Sequence, residues 1–468
     1  MHKSFRYCAL FLLGLLAGCV TNNRIPLIQV QEPIIKKTDN PVRQVVLLLD
    51  GTENDLRSKT NISILGEIIK NQAKDNLYIF YKEGVGTNGE TLGAATGYGI
   101  DQDIEEAYAF VAKNYSPGSE LYMFGFSRGA YTARIVAGMI RTVGIYDLSS
   151  VVRNEERVRI ARELYVTYKQ RYSHCNGLGS GTKEAIEKCV RLAAAATRKV
   201  FGRIHPIYPA IPLEPYKNVS IKALGLWDTV EALGIVHSIW AAKRSMGIDV
   251  DLQNIVNPNY RYLDQVCNAQ HVYHALSLDD DRANIITPVI LTSDYVAAQC
   301  TPEESALEKI EEVWFSGAHS DVGGGYSINE GNRKGDFTNR DLSLSGISLN
   351  WMMSKLKRDA PNLLPENASA FANPYAFSHE ARNGSVLYAY ASRDDILDKY
   401  LKLSRYKKLR IHYSVVQRLA QAKSDEQAAA MGYDSEWYRK GKLAQCFEDA
   451  GNHSYRFVES CPYIEVVY

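Results

Sequence analysis

Apolar residues recur along the chain in short blocks separated by amphipathic stretches. The block QVVLLL at 44–49 is continuous, as in a strand covered on both faces, and it ends in Asp50-Gly51-Thr52. Thr60-Asn61 can cap a helix that carries Ile62, Leu65, Ile68 and Ile69 on one face. Leu77 to Tyr81 predicts the next strand. Ile100, Ile104, Tyr108 and Val111 mark a second helix, and Leu121 to Phe124 a third strand. Ala130, Ala133, Ile135 and Ala137 follow with helical spacing. This alternation predicts an α/β fold built on a doubly wound, mostly parallel sheet.

The pattern then changes. Arg153 to Tyr172 and Lys183 to Val200 read as charged helices, and the proline-rich HPIYPAIPLEP closes the segment, so about 148–214 is expected to be a helical insertion outside the sheet. Val219 to Leu226 returns as a strand ending in Trp227-Asp228-Thr229. Residues 235–262 read as a second insertion, in which Ile235, Ile239 and Trp240 are either exposed apolar contacts or, as the favoured reading, packing positions. Val313 to Phe315 is a further strand and Leu344 to Leu356 a helix. From about 357 the chain is tyrosine-rich and reads as irregular.

The first residues stand apart from this pattern. His2, Lys3 and Arg6 precede an apolar run, Cys8 to Leu16, that is short for a membrane span. It ends in Leu16-Ala17-Gly18-Cys19, which resembles the lipobox of bacterial lipoproteins. That resemblance implies a signal peptide at 1–18 and acylation of Cys19. With Val20 rather than Asp after the cysteine, it also implies an outer-membrane address, facing the periplasm. Polar, proline-dotted residues up to 41 then tether a domain of residues 42–468. No later segment has the length and apolarity of a span, so the expected chain is anchored, not spanning.

At 468 residues, 46% hydrophobic and 23% charged, the composition is globular. A net charge of +1 without a basic run argues against nucleic acid as a partner. Beyond Cys8 and Cys19, the cysteines are 175, 189, 267, 300, 446 and 461. In an exported chain an even set suggests disulfides, and pairing sequence neighbours (175–189, 267–300, 446–461) closes the shortest loops. Their spacing does not suit a structural metal.

The chemistry concentrates at strand ends. Gly125-Phe126-Ser127-Arg128-Gly129 fits the G-x-S-x-G turn, with the required strand before it and small helical residues after it. Serine needs an imidazole to take its proton, and the imidazole needs a buried carboxylate to fix its tautomer. His319 follows a strand and precedes Gly323-Gly324-Gly325, a run able to curl over a site. His274 is the rival, although its apolar flanks suggest a core histidine, and His412 lies far along the chain. Asp228 leads as the acid. Asp321 is too near His319 in sequence and is expected to orient the loop, and Asp50 to brace the loop after the first strand. Arg282 in the DDDR run is expected to pair with Asp279 or its neighbours. For an oxyanion, the amides of Arg128 and of Gly51 or Thr52 are the candidate donors. The glycine-rich passage from Gly84 to Gly99 lacks a phosphate-binding pattern and reads as an active-site loop.

DGTEND, GVGT, GFSRGAYTAR, LWDTVEALG and WFSGAHSDVGGGY occur in this order over residues 42–355. The set resembles the large α/β hydrolase-like family, once catalogued as uncharacterised, that includes the phospholipase effectors of bacterial type VI secretion. The resemblance implies an α/β-hydrolase type sheet with helical insertions and a Ser127–Asp228–His319 triad. It also implies cleavage of fatty-acyl esters of phospholipids, without a cofactor. The effectors are not expected to carry a lipobox, so a resident envelope enzyme is expected here rather than an injected toxin. Two other readings are a metal-dependent phosphoesterase with Asp50, Asp228, His319 and Asp321 as ligands, and an inactive binding or scaffold lipoprotein.

Overall fold

The computed structural model describes residues 42–51, 54, 58–84, 99–176, 183–230, 266–282, 286, 288–293, 300, 309–326, 344–381 and 393–468. The leader and tether, the glycine-rich passage at 85–98, and the second insertion at 235–262 lie outside them.

The chain begins with β1 (Gln44–Leu49), α1 (Asn61–Lys70) and β2 (Leu77–Lys82), then α2 (Ile100–Asn114), β3 (Glu120–Phe126) and α3 (Arg128–Val143). Each follows from the local pattern. Thr60 caps α1 by accepting the Ser63 amide at 3.1 Å, and Ile62, Leu65 and Ile69 are buried. Ile100, Ile104, Tyr108 and Val111 form the fully buried stripe of α2. The 148–214 segment supplies α4 (Asn154–Asn176) and α5 (Lys183–Ile204).

Next come β4 (Ile221–Trp227), β5 (Val272–Ser277), β6 (Ile310–Phe315), the five-residue α6 (His319–Gly323) and α7 (Ser345–Asp359). The C-terminal region holds α8 (Arg393–Leu403), β7 (Leu409–His412), α9 (Tyr413–Ala420), α10 (Asp425–Ala430), β8 (Phe447–Gly451), β9 (Ser454–Phe457) and β10 (Ile464–Val467).

Eight strands form one sheet in the order β10-β7-β6-β5-β4-β3-β1-β2, and every neighbouring pair is parallel. β8 and β9 make a separate antiparallel ribbon. Successive strand residues serve opposite faces: Val45, Leu47 and Leu49 pack with α2 and α3, and Val46 and Leu48 with α1 and α7. The sheet is therefore doubly wound. The chain runs outward from β1 to β2, then restarts on the other side of β1 at β3. The carboxyl ends of β1 and β3 flank this switch point, where open α/β sheets place their ligands.

Two expectations are corrected. The region beyond 357 is not irregular: β7 and β10 extend the main sheet, and their apolar residues join Leu276, Trp314, Ile396 and Tyr400 in a third core cluster. Four-residue strands such as LRIH and IEVV are too short for periodicity to register and are strands only through tertiary pairing. β5 also went unread, because His274 and Ser277 interrupt its apolar run; both are buried and hydrogen-bonded.

Cys267–Cys300 and Cys446–Cys461 are disulfides, with Cα separations of 5.3 and 5.1 Å. The side chains of Cys175 and Cys189 lie outside the description. Among the described residues, no helix is long and apolar enough to cross a membrane.

Candidate active site

Ser127 sits between β3 and α3 with φ 57° and ψ −124°, a conformation that residues bearing a Cβ rarely adopt. A serine at a helix start ordinarily caps it, but this one makes no side-chain cap hydrogen bond. The close packing around the turn explains its glycines. A Cβ on Gly129 would stand 2.1 Å from the carbonyl oxygen of Leu49.

Asp228 occupies the matching place on the neighbouring strand. Phe126 and Trp227 are register partners, the Ser127 amide donates to the Trp227 carbonyl at 2.9 Å, and the Val230 amide donates to the Ser127 carbonyl at 3.4 Å. The backbone of Ser127 thus straddles Asp228. Asp228 is fully buried and itself left-handed, at φ 38°. Its Oδ2 lies 2.6 Å from His319 Nδ1, and it accepts from both the Ser277 amide (3.0 Å) and the Ser277 hydroxyl (2.9 Å).

His319 starts α6, its imidazole ring 4.6 Å from that of Phe126, the residue before the serine. Gly323 makes this possible: a Cβ there would lie 2.0 Å from the Phe126 ring. Three strand ends, β3, β4 and β6, therefore converge on one place.

The other candidates take different roles. His274 is fully buried, with Nδ1 2.9 Å from Glu312 and Nε2 facing the Thr229 amide (3.2 Å) and hydroxyl (3.0 Å). It is a satisfied core histidine that pins the peptide following Asp228. Burial works against the Glu312 charge, yet the hydrogen bond and charge of His274 hold its carboxyl below the ordinary range. His412 caps α9 through Ser414 and stacks on Phe315; burial, with Lys355 nearby, pushes it down to about 4. Asp321 binds the Ala318 amide, the His379 amide (both 2.9 Å) and His379 Nδ1 (2.6 Å), so it orients the loop. Asp50 braces the first loop through Gly51 N, Thr60 Oγ1 and Tyr81 OH. The four residues of the metal reading are thus not gathered: only Asp228 and His319 meet.

Of the oxyanion candidates, Arg128 opens α3, where first-turn amides lack intrahelical acceptors. The Gly51 amide is instead taken by Asp50 Oδ1 at 2.8 Å, because the aspartate folds back on its own loop. A Cβ on Gly51 would still lie 3.0 Å from Ser127 Cβ, so this loop borders the serine. Thr52 and Cys19 lie outside the described residues.

Sequence reasoning missed the supports of the histidine loop. Asp279 accepts the Gly317 amide (2.6 Å) and both the amide and hydroxyl of Ser435. Asp280 accepts the His319 amide (3.0 Å) and pairs with Arg282. Burial opposes the Asp280 charge, but Arg282, Arg393 and His319 bring it down to about 2; burial together with Asp434 raises Asp279 to about 7. The DDDR run was the available signal, legible as an ion pair and not as a loop anchor.

Residues 43–355 match the family described as the catalytic domain of Tle1-like phospholipase effectors of the type VI secretion system. The chain belongs to this Tle1-like family. An uncharacterized protein of Saccharomyces cerevisiae is 27% identical over 321 residues, covering 59% of this chain and 40% of the relative. The chain thus spans less than half the length of this relative. Solved structures similar to it include an uncharacterized protein from Pseudomonas aeruginosa (18% identity, 69% of this chain and 46% of that one, TM-score 0.35). Another is the Tle1 effector bound to the VgrG spike of the type VI secretion system (16% identity, 66% and 56%, TM-score 0.27). The Tle1-like segment contains Ser127, Asp228 and His319 but ends before Ser435 and Arg393.

Proposed function

We propose that the protein is a serine hydrolase of carboxylic esters acting on the fatty-acyl esters of phospholipids, with Ser127 as nucleophile, His319 as base and Asp228 as its orienting acid. The observation that carries this reading is the buried His319–Asp228 contact of 2.6 Å beside a serine held at φ 57° on the turn of the adjoining strand. Membership of a phospholipase effector family supports the lipid substrate.

With Nδ1–H given to Asp228, Nε2 keeps the lone pair. It takes the Ser127 proton as Oγ attacks the ester carbonyl, and returns it to the departing alcohol oxygen. The carbonyl oxygen, now negative, meets the amide of Arg128 and the positive end of α3. Water, deprotonated by the same imidazole, then releases the fatty acid and restores Ser127. Acylation at Cys19 would hold this chemistry at the periplasmic face of the outer membrane.

The test is fatty-acid release from phospholipid vesicles by the full chain and its Ser127→Ala variant, with and without chelator, with p-nitrophenyl esters alongside. Release that is insensitive to chelator and absent in the variant is expected. Activity that survives Ser127→Ala but disappears with chelator would sink the serine mechanism. Mass spectrometry of the mature N-terminus checks the lipid on Cys19.

A further inference from the structure

Asp228 is a fully buried carboxylate, and the His319 contact accounts for only one of its hydrogen bonds. The rest come from a single residue. Ser277, the last residue of β5, gives its amide to Oδ1 at 3.0 Å and its hydroxyl to Oδ2 at 2.9 Å. A serine hydroxyl has one proton, and without direction that proton can turn elsewhere. Here its direction is fixed from behind. Arg393 Nη2 donates into Ser277 Oγ at 2.8 Å and also reaches the Ser277 carbonyl, leaving the hydroxyl proton for Asp228.

Arg393 is itself in an unusual place. It is 2% exposed, its Nε faces the Leu278 carbonyl at 3.3 Å, and its guanidinium lies 5.8 Å from the Trp314 ring centre. As the first residue of α8 it is a cation at the end of a helix that favours anions. Burial lowers its guanidinium below the ordinary value, and Asp228, Asp280, Asp279 and Asp281 oppose that shift. Arg393 lies beyond the Tle1-like segment, which ends at 355.

We infer that Arg393, acting through Ser277, is a positioning residue for the reaction of Ser127: it directs the Ser277 hydroxyl to Asp228 and fixes which oxygen faces His319. The inference rests on the serine-hydrolase reading above. Its physical content has a sign. The guanidinium draws negative charge away from the His319 side of Asp228. Without it the carboxylate stabilises the imidazolium more strongly, so His319 holds its proton to higher pH. The other charged groups around the imidazole stay the same: Asp279, Asp280, Asp281 and Arg282 on the loop after β5, and Asp321 with His379 beyond it.

The experiment measures ester hydrolysis against pH for the full chain, Ser127→Ala, Arg393→Lys, Arg393→Met, Ser277→Ala and the Arg393→Met/Ser277→Ala double variant. Histidine NMR titrations run in parallel. Arg393→Met is expected to lower kcat roughly ten- to a hundredfold, the range for losing one hydrogen bond to a charged group, with little change in KM. Its acid limb of kcat/KM and the His319 titration both move to higher pH. Arg393→Lys restores most of the limb position. Ser277→Ala lowers kcat similarly with a smaller pH shift, and the double variant is no worse than Arg393→Met alone. If Arg393→Met does not fold, Ser277→Ala carries the test through its kcat loss and its pH shift. A folded Arg393→Met protein with an unmoved acid limb and an unmoved His319 titration would overturn the inference, as would losses that multiply in the double variant. Loss of the serine-hydrolase reading looks different: the unmodified chain would then show no turnover that Ser127→Ala removes, and the relay would fall with it.

Discussion

The ring of Phe126 and the imidazole of His319 stand 4.6 Å apart, tilted by 32°, so the residue before Ser127 also forms a wall for the imidazole. Gly323 leaves the room that Phe126 fills. Gly323→Ala would set a Cβ 2.0 Å from the Phe126 ring and displace it from its place beside His319. Overpacking of this kind costs about 1–3 kcal/mol, and the same displacement should cut kcat roughly tenfold or more. Adding Phe126→Leu should recover part of both. Kinetics and thermal melting of the two proteins check this; equal activity of Gly323→Ala and the parent would refute it.

The strained turn makes a second prediction. At φ 57° a side chain at 127 is unfavourable, and glycine is not. Ser127→Gly should therefore be more stable than Ser127→Ala by about 1–2 kcal/mol, although both lack the hydroxyl. Urea unfolding of the pair decides it, and equal midpoints would mean that the turn stores no strain.

Asp280 makes stability depend on acid. Its carboxyl drops from the ordinary 3.8 to about 2 in the folded protein, so its contribution is complete above 3.8 and vanishes as pH falls through 2. The drop corresponds to roughly 2–3 kcal/mol. Asp280→Asn should be less stable than the parent by about that amount at neutral pH, with the gap closing between pH 3.8 and 2. Denaturant melts at several pH values would show it; a gap constant with pH would rule out the linkage.

A chain ending at residue 359 keeps the whole Tle1-like segment but loses β7, β10, Arg393, His379 and Ser435. It should give no ester turnover and should expose Trp314, which is fully buried in the complete chain. Tryptophan fluorescence and activity of the shortened chain test this. Full turnover would show that the C-terminal region is dispensable.

Legibility in the sequence followed the range of each interaction. β1, α1, α2, β3 and the serine turn are written in local spacing, and the structure places them where the pattern does. The strand-end positions of Ser127, Asp228 and His319 were readable because each follows an apolar strand. Ser277, Asp280, Arg393 and Ser435 were not, because each matters through a partner brought close by the sheet. A serine at the end of VYHALS carries no mark of the aspartate across the strand gap. β7 and β10 were missed for the same reason: only pairing with β6 and with each other makes strands of them. Gly51 shows the converse: its position beside the serine was legible, while the hold of Asp50 on its amide was not.

Asp279 joins the Gly317 amide to Ser435, and Tyr433 reaches Asp281. During synthesis the serine turn leaves the ribosome long before these partners do. On the proposed mechanism a nascent chain carries Ser127 ahead of the supports of the His319 loop, and hydrolysis would begin only after the segment around 433–435 has emerged and docked. The order of residues along the polypeptide would then act as a timer on the proposed activity.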